Sequence, residues 1–131
     1  MTYISSGTIY VKPSTAIGIE KTKQECGINP ESIDTHYNDK FGEINIDDES
    51  ESMDNITNFC QLIAEIDKQN HGEIKCYGES EEDLWRIIVK NGRAIVQRGY
   101  IKYYGNGRFL NPDVRKITKN FKGKKLSAWL L

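Results

Sequence analysis

The dipeptide Asn91-Gly92 stands between two β-rich runs, LWRIIVK (84–90) and RAIVQRG (93–99). A two-residue type I′ turn needs positive φ at both positions, which Asn and Gly adopt most readily. This pattern is therefore the strongest short-range hairpin signal a sequence carries. The turn also sets the register. Lys90 faces Arg93, Val89 faces Ala94, Ile88 faces Ile95, Ile87 faces Val96 and Trp85 faces Arg98. Period-two alternation then gives Trp85, Ile87, Val89, Ala94 and Val96 to a core face. Arg86, Ile88, Lys90, Arg93, Ile95 and Gln97 take the other face, which is half-polar and basic. Beyond the hairpin, strict alternation sends Tyr100, Lys102 and Tyr104 to the core side. A bulge at Gly99 would shift the phase by one residue and move those three to the basic face.

A second periodic stretch is DNITNFCQLIAEIDKQ, residues 54–69. Ile56, Phe59, Cys60, Ile63 and Ile66 recur at helical spacing and form one apolar stripe. Asp54 or Ser52 caps its N-terminus, and His71-Gly72 stops it. Cys60 lies within the stripe, which reads as a small buried hydrophobe rather than a nucleophile. Elsewhere the pattern is thinner. Residues 7–12 read as a strand that Pro13 closes. Residues 14–26 read as a short helix capped by Ser14, with Ile17 and Ile19 as its apolar contacts. The stretch 27–42 is turn-rich, 43–46 is a short strand and 47–52 is an acidic loop. Residues 73–77 alternate as a half-buried strand, and another acidic loop follows. Near the end, NPDVRKITKNF reads as a short helix with Pro112 in its first turn. The fold class expected is α+β: an antiparallel β-meander packed against one main amphipathic helix.

At 131 residues the chain suits a single domain, 1–131, with 105–131 as a basic C-terminal extension. No apolar run approaches the roughly eighteen residues of a membrane span, and the N-terminus shows no signal-peptide pattern. Cys26, Cys60 and Cys76 are odd in number and widely spaced. They make neither a disulfide framework nor a zinc pattern, which points to a reducing, cytoplasmic setting.

The formal net charge of −1 hides a split. Residues 1–83 carry 6 basic and 18 acidic side chains, a net −12; residues 84–131 carry 12 basic side chains against Asp113 alone, a net +11. Surface ion pairs add little stability one by one, so the sorting points to partners.

Chemistry has few footholds. His36 and His71 are the two histidines, and a nucleophile–base pair such as Cys26–His36 depends on chance loop placement. Asp47, Asp48, Glu49 and Glu51 cluster, as do Glu79, Glu81, Glu82 and Asp83. Neither run has the fixed spacing and central glycine of a calcium loop, so both read as solvated acidic surface. No cofactor, metal or catalytic residue is expected, and the chain reads as a non-enzyme. The candidate binding residues are Arg86, Lys90, Arg93, Tyr100, Lys102 and Tyr104 on the hairpin face, with Lys124 and Lys125 in the tail. Basic side chains interleaved with aromatics on a sheet suit single-stranded nucleic acid. The pI of about 6.1 argues the other way. Phe121, Leu126, Trp129, Leu130 and Leu131 are too apolar for a free tail, and they dock on the domain or meet a partner.

SSGTIYVKP near the start, together with GESEEDLWRIIVKNGRAI later, resembles a family of small bacterial and phage proteins of unknown function. Its members pair a G-x-I-x-V-x-P strand with a G-E-x-x-[DE]-D-L-W-R hairpin. The match spans about a third of the chain, residues 5–13 and 72–104. It implies a shared fold, with Trp85 as core anchor and Asn91-Gly92 as turn, and no activity. The expectation is a non-enzymatic protein-binding module, an anti-defence (anti-CRISPR-like) phage inhibitor of a nucleic-acid-handling protein. An acidic surface occupies a basic groove well and gains on-rate by steering. Two alternatives stay open: a small nucleic-acid-binding protein using the basic hairpin face, and a toxin-immunity protein.

Overall fold

The computed structural model describes residues 2–80 and 82–99. It is an α+β fold built on one antiparallel sheet. Six strands are described: β1 (Tyr3–Val11), β2 (Ile33–Tyr37), β3 (Gly42–Ser50), β4 (His71–Tyr77), β5 (Leu84–Lys90) and β6 (Arg93–Gly99). They lie in the order β2-β3-β1-β4-β5-β6. The expected meander is the β4-β5-β6 half. The N-terminal half contributes three further strands rather than one or two. Among the described residues there are two helices, α1 (Pro13–Thr22) and α2 (Asp54–Ile66), with short 3-10 turns at Lys23–Glu25 and Pro30–Ser32.

The hairpin forms as its sequence dictates. Asn91 (φ 53°) and Gly92 (φ 80°) both take positive φ, and the pairing runs from Lys90↔Arg93 to Leu84↔Gly99. The registers of the other pairs extend the hairpin's rows across the whole sheet. One row reads Ile33–Ile46–Gly7–Ile74–Ile87–Val96, and the next Thr35–Ile44–Ile9–Gly72–Val89–Ala94. These rows face the helices. α1 packs on β2 and β3, and α2 on β5 and β6. Between them lies the core, in which Ile9, Ile44, Ile56, Ile63, Ile74 and Ile87 are fully enclosed. Gly72 is required by the close approach of β1 and β4: a Cβ there would lie 2.3 Å from the Thr8 carbonyl oxygen and 2.6 Å from the Ile9 Cα.

Several expectations need correction. β1 begins four residues earlier than residue 7. Pro13 does end it, and then starts α1 at its first turn, where a missing N–H costs nothing. Ser14 is therefore inside the helix rather than its cap, and Thr15, Ala16 and Ile19 are its buried residues. The turn-rich stretch contains β2, and residues 47–50 of the loop expected at 47–52 are the second half of β3. α2 stops at Ile66, whose side chain is exposed, and a turn over 67–70 intervenes before His71-Gly72 opens β4. The buried Asn70 holds that turn by donating its Nδ2 to the Ile63 carbonyl at 2.9 Å. Neither Asp54 nor Ser52 is the N-cap of α2: that position is Met53, without a side-chain cap, and Ser52 one residue further out accepts the Asp54 N–H at 3.1 Å. At the hairpin, Val96 lies 41% exposed and Trp85 only half-buried, because a cleft opens there between the start of α2 (Met53, Asp54, Thr57) and the far end of the β5–β6 pair.

Candidate functional site

Both described helices pack on one face of the sheet, and alternation leaves the other face open. Its rows can be read directly from the registers. One runs Asp34–Asn45–Thr8–Glu73–Ile88–Ile95, the next Asp47–Ser6–Lys75–Arg86–Gln97, and the last Glu49–Ile4–Tyr77–Leu84–Gly99. The charges are sorted along these rows. Asp34, Glu43, Asp47 and Glu49 stand on β2 and β3, whereas Lys75, Arg86, Lys90 and Arg93 stand on β4, β5 and β6. Between them lies a mixed band of exposed apolar and aromatic groups. Ile4 is 51% and Tyr10 49% exposed, and the Tyr10 ring rests against His71 with centroids 5.4 Å apart. A shallow groove of about 680 Å³ runs over this band between Tyr10 and Lys90, with Thr8, Glu73 and Ile88 along it.

The two ends of the face differ in how far their charges are committed. Arg86 is held through two of its guanidinium nitrogens: its Nε donates to Gln97 Oε1 at 2.8 Å, and its Nη1 lies 3.5 Å from Glu73 Oε1. Its side chain is only 13% exposed. Lys90 and Arg93 are exposed at the hairpin tip. At the acidic end, Asp47 and Glu49 project into solvent. Asp34 accepts from His36 at 2.9 Å, again in solvent, while Thr8 Oγ1 donates to Asn45 Oδ1 at 2.6 Å.

The expected acidic cluster is thereby divided. Asp47 and Glu49 are on the open face and Glu51 is exposed past the end of β3, but Asp48 is not surface at all. Strand alternation turns it toward the helices, where it is buried and accepts the Ser32 hydroxyl at 2.7 Å. A run of acids reads as a loop because strands are poor in aspartate, and that composition concealed the alternation. Asp83 in the second acidic run is structural as well: its Oδ1 accepts the Trp85 indole N–H at 2.7 Å. Of the basic residues expected to bind, Arg86, Lys90 and Arg93 share the open face. Tyr100, Lys102, Tyr104, Lys124 and Lys125 lie outside the described residues, as do the extension 105–131 and the phase of the chain past Gly99. The residues that sequence reasoning missed are Asp34, Glu43, Ile4 and Tyr10. Their signal was the alternation of β1, β2 and β3, which only the pairing makes visible.

The thiols are poorly placed for nucleophilic work. Burial pushes Cys60 up to about 12, with the neighbouring Cys76 adding to it, and burial raises Cys76 too. Cys26 is raised mainly by burial, packs against the core on the helix side and donates to the Thr22 carbonyl. His36 stands on the opposite face of β2, so Cys26 and His36 are not brought together. Among the described residues, no group of three or more His, Cys, Asp or Glu is placed to hold a metal ion, and no helix is long and apolar enough to cross a membrane. The chain matches no family model, no curated protein and no solved structure.

Proposed function

We propose that this chain is a non-enzymatic protein-binding module whose acidic sheet face engages a basic, nucleic-acid-handling protein. Phage-encoded inhibitors and immunity proteins act in this manner. The observation that carries the reading is the open face itself, with Asp34, Glu43, Asp47 and Glu49 gathered on β2 and β3 beside exposed Ile4 and Tyr10. Exposed acids on a rigid sheet steer a basic partner, and the apolar band beside them supplies area to bury. The basic end supports a phosphate grip less well, because Arg86 is already shared between Gln97 and Glu73.

The test is capture from a bacterial lysate treated with nuclease. The wild-type chain is compared with an acid-face variant (Asp34→Lys, Asp47→Lys, Glu49→Lys) and a hairpin-tip variant (Lys90→Glu, Arg93→Glu). We expect a captured protein that survives nuclease, is retained by the tip variant and is lost by the acid-face variant. Anisotropy with single- and double-stranded oligonucleotides should show no binding at physiological salt. Capture that disappears with nuclease, or that only the tip variant loses, would replace this reading with nucleic-acid binding. Such binding would fall steeply as salt rises.

A further inference from the structure

We infer that the outer edge of β2 takes up an extended basic segment of the protein partner as an added antiparallel strand. The inference rests on the partner reading above and names how that partner is held. β2 is the outermost described strand on the acidic side, so half of its backbone groups have no strand beside them. Two bonds show which half. The Ile33 N–H turns away from β3 to the Pro30 carbonyl. At the other end the Asn38 N–H donates to the Phe41 carbonyl at 2.9 Å, which makes His36–Glu43 and Asp34–Asn45 the hydrogen-bonded pairs of β2 and β3. Asp34 and His36 therefore bond inward, while Thr35 and Tyr37 present their N–H and C=O outward. Among the described residues nothing bonds to those four groups. The opposite described edge differs: there the Gln61 side chain of α2 accepts the Ala94 N–H at 2.9 Å. α1 gives β2 no such cover, because its Glu20 accepts the Thr35 hydroxyl and leaves the Thr35 N–H alone.

Charge says what fits this edge. Lys and Pro commonly blunt an unpaired edge, and β2, IDTHY, has neither. Acids surround it instead. The Asp34 side chain, 70% exposed, stands on the open-face side. Glu20 stands on the helix side, and Glu31 and Asp39 stand at the two ends. Against them are Lys40 in the turn and Lys23, which is already paired with Glu20 at 3.1 Å. A hollow of about 690 Å³ lies along the start of β2, with Glu31, Asp34, Asn45 and Asp47 on its walls. Tyr37 and Phe41, 51% and 60% exposed, add apolar surface at the far end.

An antiparallel newcomer exchanges backbone bonds with Thr35 and Tyr37. Its residues opposite Asp34 and His36 then point to the open face. The pair with Asp34 is non-hydrogen-bonded, the kind in which side chains come closer, so a Lys or Arg there meets the carboxylate and reaches the hollow. The residues opposite Thr35 and Tyr37 point to the helix side, where the Tyr37 ring favours an apolar neighbour. The segment that fits is extended, with basic and apolar residues alternating, and its backbone supplies affinity while the acids supply specificity.

The probe is a short fluorescein-labelled peptide of alternating valine and lysine, titrated with the full chain at low salt. We expect anisotropy to rise, and amide hydrogen exchange to slow at Thr35 and Tyr37 but not at Asp34 and His36. N-methylation of the peptide's valines removes the N–H groups aimed at β2 and should abolish binding, whereas N-methylation of its lysines should not. Thr35→Pro deletes an outward N–H and keeps the bonds to β3, so it should lose the peptide. Thr35→Val, which loses only the hydroxyl, should retain it. No binding by wild type would overturn the inference. Equal binding of the two N-methylated peptides would overturn it in favour of attraction by charge alone. Exchange at Thr35 and Tyr37 that slows with protein concentration, without peptide, would overturn it in favour of a second copy on the edge. The lysate capture separates this inference from the partner reading. A partner lost by the acid-face variant and kept by Thr35→Pro sinks the edge inference alone. A peptide that behaves as expected, with no nuclease-resistant partner captured, keeps the edge as a strand-binding site and sinks the partner reading alone.

Discussion

The two faces of this sheet are written by the same strands and obey different rules. Toward the helices, neighbouring rows hold Ile33, Ile46, Ile74 and Ile87, then Ile44, Ile9 and Val89, with little besides β-branched carbon. One position along each strand, the open face holds Asp34, Asn45, Thr8, Glu73 and Ile88. A slip of one residue in any strand would exchange the two sets, so burial on the helix side, with the Asn91-Gly92 turn in the hairpin, fixes the register. The open face carries no such duty. Its composition is free to serve other ends, and what it shows is charge sorted from one edge to the other. Stability is therefore concentrated on the helix side of the sheet, and the recognition proposed above falls to the other.

The sharpest way to break that division is to cut equal amounts from each face. Ile74→Ala removes a fully enclosed side chain and should cost about 2–5 kcal/mol by urea denaturation. Ile95→Ala, on the open face, should stay within about 0.5 kcal/mol. Gly72→Ala should be as damaging as Ile74→Ala, since its Cβ would drive into the Thr8 carbonyl and separate β1 from β4. Comparable losses at Ile74 and Ile95 would mean that the described open face is itself packed.

The next contrast uses two adjacent aspartates. Asp48→Ala removes the buried carboxylate that accepts the half-buried Ser32 hydroxyl and should cost about 1–3 kcal/mol. Asp47→Ala, one residue away and exposed, should leave the melting temperature within a degree or two, at about 0.5 kcal/mol or less. If capture of a partner falls with Asp47→Ala while stability does not, the two faces are functionally distinct at single-residue resolution.

These neighbours also show where sequence reading works. The β5–β6 pairing was legible because Asn91-Gly92 is a local device: two adjacent residues with positive φ determine every pair up to Leu84↔Gly99. The stripe of α2 was legible because its period lies within thirteen residues. β2 and the acidic half of β3 depend on partners far away in sequence. Asp47 and Asp48 become strand residues because Ser6 and Ser5 pair with them, and Ile33 marks a strand only once Ile46 is known to lie beside it. The candidate site suffered most, since an open face is defined by what fails to cover it. Its acidic end lies on the two strands whose pattern is least regular.

The smallest expected effect concerns the helix side alone. Lys12, which precedes α1, meets Asp67, which ends α2, at 2.6 Å, so one ion pair joins the start of one helix to the end of the other. Asp67 also accepts the Gln69 N–H at 2.8 Å. The Lys12 hydrogen bond, followed by that of Gln69, holds the Asp67 carboxyl below the ordinary aspartate range. Because the folded value is depressed, the stabilisation is complete above the unfolded value of about 4 and is lost as pH falls through the folded one. Asp67→Asn keeps an acceptor for Gln69 and removes only the charge. Its melting temperature should fall slightly below wild type at pH 7, and the gap should narrow below about pH 4 and shrink with added salt. Asp34→Asn, on the exposed edge of the open face, should stay within about 0.5 kcal/mol of wild type at pH 7. A gap at Asp67 that persists at pH 2 would show that the residue acts by closing the turn rather than by charge. The two helices would then be tied through their packing on the sheet alone.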